Sequence, residues 1–193
     1  MPKIAIITGS TREGRKSLEV AQWVKGIADQ RDDATYEIVD TADFNLPVWD
    51  APMSPAWGPS SDPVATKWAD KINEFDGYVF VVAEYNHSLT GSLKNALDYL
   101  YNELNNKAAG FVGYGSAGGA RAIEHLRGIL SEQQVAHVRT AAGLSLFHDF
   151  ENFTTFTPSQ GAPAQVEGML DQLIPWTRAM AAVRAGDFAL ANA

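Results

Sequence analysis

Short unbroken apolar runs alternate along this chain with longer stretches whose apolar residues recur every three to four positions. The runs read as strands buried on both faces, and the stretches between them as helices with one apolar face. Residues 3–8 give a first strand and 35–40 a second. Tyr78-Val79-Phe80-Val81-Val82-Ala83 gives a third and residues 108–114 a fourth. A fifth runs over 135–139, with an apolar stretch at 144–147 that can resume it. A helix follows the turn at 9–16, with Ser17 as its candidate cap and Val20, Ala21, Val24, Ile27 and Ala28 on its apolar face. A second helix is predicted over 64–75. A third, starting near Gly91 behind a cap at Thr90, presents Leu93, Ala96, Leu97, Leu100 and Tyr101. The fourth is faced by Ala122, Ile123, Leu126, Ile129 and Leu130. The last, over about 164–184, carries Val166, Met169, Leu170, Leu173 and Met180, with Pro175 expected to bend it.

Regular alternation of strand and helix predicts a parallel sheet covered on both faces. With five strands and right-handed crossovers, the leading topology is a flavodoxin-like three-layer α/β sandwich in the order 2-1-3-4-5. Residues 1–185 read as one domain and 186–193 as a frayed tail. The loop over 44–63 breaks the rhythm, holding Pro47, Pro52, Pro55, Pro59 and Pro63, five of the nine prolines. Loops of that length in a compact domain tend to be functional or disordered. Because it carries Trp49, Met53 and Trp57, it is expected to pack, either on a site rim or on a second subunit.

Composition narrows the chemistry. The 193 residues suffice for a substantial core, and 46% hydrophobic with 20% charged residues is ordinary for a globular protein. A net charge of −8 argues against a nucleic-acid partner, since such binding rests on Lys and Arg neutralising phosphates. The chain has no cysteine, which removes disulfides, thiol redox chemistry and thiolate metal sites. Any electron transfer must then use a bound organic cofactor. The N-terminal apolar run is too short for a secretory signal, and no later run approaches membrane-spanning length, so no membrane insertion and a cytoplasmic address are expected.

Basic residues crowd into the first loop, Gly9-Ser10-Thr11-Arg12-Glu13-Gly14-Arg15-Lys16-Ser17. It nearly matches a nucleotide triphosphate loop, but Arg15 intrudes between Gly14 and the Lys16-Ser17 pair, so the lysine is out of register. A single phosphate suits it better: the hydroxyls of Ser10 and Ser17, the guanidinium of Arg12 and the N–H groups of a helix start can converge on one anion. The plain alternative is a polar loop with a helix cap. The stretch Gly113-Tyr114-Gly115-Ser116-Ala117-Gly118 formally satisfies G-x-G-x-x-G, but on the fourth strand and with no carboxylate at 133–147 to hold a ribose. Its glycines fit close approach of backbone to a flat ligand. Glu84-Tyr85-Asn86-His87-Ser88 ends the third strand, where open parallel sheets bind ligands. It reads either as a polar turn or as backbone amides plus Asn86 facing the edge of a ring. None of His87, His125, His137 and His148 has metal-ligand spacing, and His87 is as consistent with a surface role as with a catalytic one.

Three phrases together resemble the NADPH-dependent FMN reductase family, a flavodoxin-like group that includes quinone, chromate and azo reductases. They are Ile6-Ile7-Thr8-Gly9-Ser10-Thr11-Arg12, then Ala42-Asp43-Phe44-Asn45-Leu46-Pro47, and Glu84-Tyr85-Asn86-His87 followed by Leu93-Lys94-Asn95-Ala96-Leu97-Asp98-Tyr99-Leu100. The resemblance spans most of residues 1–150. It implies FMN as cofactor, NADPH or NADH as co-substrate, a small-molecule electron acceptor, and a homodimer or homotetramer. It implies further that Ser10, Arg12 and Ser17 hold the FMN phosphate; Arg15 and Lys16 depart from the family, which often has small or polar residues there, and are expected either to meet an NADPH phosphate or to neutralise the FMN. Glu84, Tyr85 and Asn86 would line the isoalloxazine, and Ser116, Gly118 and Gly119 would close over it. Ala83 stands where the family has proline, which predicts a looser turn. No dedicated acid or base is expected, because the flavin carries the chemistry. The alternatives are a non-enzymatic electron carrier of the flavodoxin type and a flavin-free binding module.

Overall fold

A computed structural model describes residues 1–187. Five parallel strands, β1 (Lys3–Thr8), β2 (Thr35–Asp40), β3 (Gly77–Ala83), β4 (Ala108–Gly115) and β5 (Ala136–Ser145), form one sheet in the order β2-β1-β3-β4-β5. The predicted topology is therefore the observed one. Helices α1 (Ser17–Ala28) and α5 (Ala162–Ala185) cover one face; α2 (Pro63–Asn73), α3 (Gly91–Asp98) and α4 (Ala120–Glu132) cover the other.

Strand alternation divides the core between the two faces. Ile4, Ile6, Val79, Val81 and Val112 meet Val20 and Val24 of α1 and Met169, Leu170 and Leu173 of α5. Their neighbours Ile7, Tyr78, Phe80, Val82 and Phe111 meet Trp68, Leu93, Leu97, Leu126 and Leu130 on the opposite face. Buried polar tips find partners there: Trp68 Nε1 donates to the Ala96 carbonyl at 2.8 Å, and the Tyr78 hydroxyl to that of Ile72 at 3.1 Å.

Several elements differ from the sequence reading. The fifth strand is one ten-residue element, not two pieces, and its register with β4 shifts between Ala109 and Phe111. That irregularity is why its apolar alternation looked broken. β5 has one unpaired side. Two of its N–H groups are met by α5 side chains, Thr140 N–H donating to Gln172 and Gly143 N–H to Gln165, both at 3.0 Å, while Arg127 of α4, over the Phe111 ring of β4, donates to the carbonyls of Val138 and Arg139 at the register shift. Helix α3 stops at Asp98, so Leu100 and Tyr101 belong to the turn after it. Pro175 lies inside α5 without ending it. A small antiparallel hairpin, β6 (Phe150–Glu151) with β7 (Thr155–Phe156), had not been anticipated. The expected tail falls mostly on 188–193, outside the described residues.

The first half of the proline-rich loop is fastened to α3. Asn95 of α3 accepts the Trp49 N–H at 2.8 Å and donates to the Pro47 carbonyl at 2.6 Å, and the Trp49 ring meets Tyr99 edge-on at 4.7 Å. Met53 and Trp57, also expected to pack, are 57% and 78% exposed.

Candidate functional site

The loops after β1, β3 and β4 stand side by side at the carboxyl edge of the three central strands. Gly9 is the hinge of the first. Its N–H donates to the Val81 carbonyl at 3.2 Å, and its own carbonyl accepts from Thr90 Oγ1 and, at 2.8 Å, from Ser92 Oγ. A Cβ here would lie 2.8 Å from Leu93 Cδ2, so only glycine lets α3 come this close. Ser10 is buried, with its hydroxyl 3.0 Å from that of Tyr85. The Arg12 guanidinium is exposed, lies 5.9 Å from the centroid of the Tyr85 ring, and forms no ion pair among the described residues. Ser17 is not the cap its position suggested: it is the first residue of α1, and its hydroxyl donates to the Ser10 carbonyl at 3.3 Å.

Arg15 turns away from this group. Its guanidinium meets Asp40, at the end of β2, at 2.6 Å. Asp40 also accepts from Thr8 Oγ1 at 2.7 Å and from the Ala42 N–H at 3.0 Å. Burial pushes the Asp40 carboxyl up, but Arg15, Thr8 and that N–H outweigh it and hold the group below the usual range. Lys16 is drawn to Glu19 at 3.2 Å.

In the third-strand loop, Tyr85 and Ser88 exchange both backbone hydrogen bonds, at 2.8 and 3.0 Å. The two residues between them, Asn86 (φ 49°) and His87 (φ 68°), are both left-handed, as a two-residue hairpin turn requires. That turn supplies the rigidity which the missing proline at Ala83 would have given. The side chain of Glu84 is buried, and its Oε1 accepts from Arg121 Nε at 2.6 Å. Arg121, in the first turn of α4, also reaches His87 Nε2 at 3.1 Å. Sequence reasoning missed Arg121. The only signal was a basic residue just past a glycine-rich loop, at a helix start where a cation is unfavourable without an acidic partner.

The fourth-strand loop packs against the third. A Cβ on Gly115 would lie 3.0 Å from Glu84 Cβ. Gly118 (φ 62°) and Gly119 (φ 74°) turn the chain into α4, while Ser116 remains exposed. Tyr114, at the strand end, lies beside Ser17, and burial pushes its phenol well above the ordinary value. The structure thus brings together Ser10, Arg12, Ser17, Glu84, Tyr85, Asn86, Ser116, Gly118 and Gly119, and directs Arg15 to Asp40. A hollow of about 240 Å³ borders the crevice between Thr11, Asn45 and Ser92.

Chemically the crevice has a cationic end, with Arg12, serine hydroxyls and the start of α1, and a flat end lined by tight backbone turns. Two of three buried side-chain polar atoms without a partner among the described residues lie here: Arg15 Nε, a donor, and Glu84 Oε2, an acceptor. Leaving either unsatisfied costs about 1–3 kcal/mol. A ligand with an anion at one end and a polar ring at the other suits both. Fold and strand order together define a flavodoxin-like α/β protein.

The model of the family described as NADPH-dependent FMN reductase matches residues 2–149. The chain is 37% identical over 178 residues to the NAD(P)H-dependent FMN reductase ntnL of Nectria sp, covering 86% of this chain and 89% of that one. It is 34% identical over 137 residues to a quinone reductase of Escherichia coli strain K12, covering 66% and 70%. The chain belongs to the NADPH-dependent FMN reductase family: FMN is its cofactor and NAD(P)H its co-substrate. Among solved structures, the flavoenzyme NAD(P)H:(acceptor) oxidoreductase FerB from Paracoccus denitrificans aligns with a TM-score of 0.73 at 19% identity, over 93% of this chain and 99% of that one, a likeness of fold. No helix among the described residues is long and apolar enough to cross a membrane.

Proposed function

We propose that the three loops hold FMN across the carboxyl edge and that the enzyme passes electrons from NAD(P)H to quinone-type acceptors, donor and acceptor entering the crevice in turn. Ser10, Arg12, Ser17 and the first N–H groups of α1 hold the phosphate, while Arg15, held on Asp40, adds its positive charge to that end of the crevice from behind the loop. Glu84, Tyr85 and Asn86 on one side, and Ser116, Gly118 and Gly119 on the other, hold the ring. Bound FMN supplies the hydride-accepting centre, and the protein supplies position and electrostatics. Asn86 and the start of α4 place positive dipole ends where negative charge develops on the ring. Arg121 holds Glu84 through Oε1 and His87 through Nε2, so both are tied into the loop, and the chemistry needs no acid or base from either. The flavin-free and electron-carrier readings have no observation in their favour.

The observation that carries this reading is the 3.0 Å contact between Ser10 and Tyr85, with Arg12 over the same ring, because it joins the anion end to the flat end. The assembly we propose is a homodimer or homotetramer in the cytoplasm; exposed Met53 and Trp57 supply apolar surface for such an assembly to cover. The test is direct. The purified protein should be yellow and bleach when NADPH is added without air. Arg12→Ala should weaken FMN binding, followed by flavin fluorescence, by about 1.5–3 kcal/mol, the worth of a charge-assisted hydrogen bond. Unchanged affinity would remove the phosphate from this loop.

A further inference from the structure

Beyond the crevice, the segment joining β5 to α5 carries two large apolar side chains in water. Phe147 is 62% exposed and Phe153 is 60% exposed. Their rings meet edge-to-face, centroids 5.5 Å apart. The arrangement is held in place, not a stray exposure of a loose loop. Asp149 is buried, and its carboxylate accepts from the N–H groups of Ser145 at 2.7 Å and Ser159 at 2.8 Å, pinning both ends of the segment. Phe147 N–H donates to Ser145 Oγ at 3.2 Å. Phe150 is buried between Tyr114 and Phe156, and Phe156 in turn packs edge-on against Trp23 of α1.

Phe153 also sits in the left-handed region, at φ 59° directly after Asn152 at φ 50°. Asparagine tolerates that conformation, whereas a bulky aromatic there is an outlier that the chain normally avoids with glycine. The two residues form the turn of the β6–β7 hairpin, closed by the Thr154 N–H donating to the Glu151 carbonyl at 3.1 Å, and a phenylalanine where glycine is usual sets an apolar ring at the hairpin tip. The crevice is adjacent. Ser145 is the register partner of Gly115, and Leu146 N–H donates to the Gly115 carbonyl at 3.0 Å, so Phe147 starts one residue from the loop that closes the crevice. Tyr114, against which Phe150 packs, is the residue before that glycine.

We propose that the Phe147–Phe153 pair is a recognition surface for flat, uncharged electron acceptors of the quinone class, set at the rim of the crevice to select them over small hydrophilic oxidants. The assignment rests on the crevice being the redox site. An uncharged edge-to-face pair offers one ring face and one ring edge, which suits a planar conjugated molecule and gives little to a hydrated anion. Because the pair lies outside the loops assigned to FMN, removing it leaves the flavin site itself intact.

The experiment uses the FMN-loaded protein and the double variant Phe147→Ala/Phe153→Ala. Each is reduced by NADPH without air and then mixed with menadione or with ferricyanide. The expected result is a fall of about five-fold or more in the menadione rate, as befits lost aromatic contacts, with ferricyanide rate, FMN content and bleaching by NADPH unchanged. Naphthol, flat and redox-inert, gives a readout apart from turnover: its binding to the loaded protein, followed by titration calorimetry, should weaken by a similar factor. Phe153→Gly guards against misfolding of the double variant: relief of the left-handed strain should raise the melting temperature while the menadione rate still falls. Equal losses for both oxidants, an unchanged menadione rate in the variants, or a change of oligomeric mass on removing the pair would each overturn the proposal, the last by showing that it joins copies of this chain. A parent protein that takes up FMN yet fails to bleach would instead sink the proposed function, independently of the pair.

Discussion

Gly119→Ala should abolish flavin uptake and cost about 3 kcal/mol or more in stability, the range of substitutions that force backbone against backbone. At φ 74° an alanine is strained wherever it stands, and its Cβ would lie 2.7 Å from both Gly113 Cα and Tyr114 N. Neither neighbour can yield, because both are in β4, which is paired on two sides. Relief would require the loop to swing out, taking Ser116 and Gly118 with it and releasing the start of α4 that positions Arg121. An internal control is available in Gly128, mid-way along α4, where nothing lies within 4 Å of an added Cβ. Gly128→Ala should stabilise by about 0.5–1 kcal/mol through helix propensity. Urea midpoints and FMN titrations of the two variants separate the effects. A Gly119→Ala protein that binds FMN normally would show that the loop adopts another path.

Lys107→Met should make the protein more stable at neutral pH by about 2 kcal/mol, and the advantage should fade in alkali. Lys107 is buried just before β4, at the end of the sheet opposite the crevice. Its ammonium reaches only the Asn73 carbonyl, at 3.4 Å, and the Tyr78 ring, at 5.6 Å. Desolvation, with Arg184 adding repulsion, lowers its pKa from 10.5 to about 8, although Asp76 and Glu103 pull it back. Between those two values the unfolded chain holds a proton that the folded chain has released, so stability rises with pH over that window. Below about pH 8 both states are charged and the folded one bears the full penalty, which methionine, of similar volume, removes. Urea unfolding at pH 7 and pH 10 tests this; equal differences between variant and parent at both pH values would mean that Lys107 keeps its ordinary pKa.

The sheet order and the helix faces were legible because each strand is a near-continuous apolar run and each helix has one apolar stripe. Contributions set by neighbours distant in sequence were not legible. Asp40 ends β2 and looked like any strand terminus, yet it takes Arg15 away from the cluster of basic residues beside it. Glu84 looked available to a ligand, but half of its carboxylate is committed to Arg121, which follows it by 37 positions. The two-residue strands of the β6–β7 hairpin are too short for any period to register. Met53 and Trp57 differ in another sense: hydrophobicity predicted packing on a site rim or a second subunit, and within the single chain both stay exposed, which leaves the second subunit. The glycines at 118 and 119 were singled out for the close approach of a flat ligand; what the structure adds is a second local requirement, the left-handed backbone of a strand-to-helix turn.

The covered border of β5 has a consequence for how these molecules meet. Gln165 and Gln172 already hold the Gly143 and Thr140 N–H groups, so a foreign strand would have to displace both glutamines to pair along that stretch. Contact between copies through that backbone is thereby disfavoured, and an unfolding chain finds a poorer template there on which to grow a fibril.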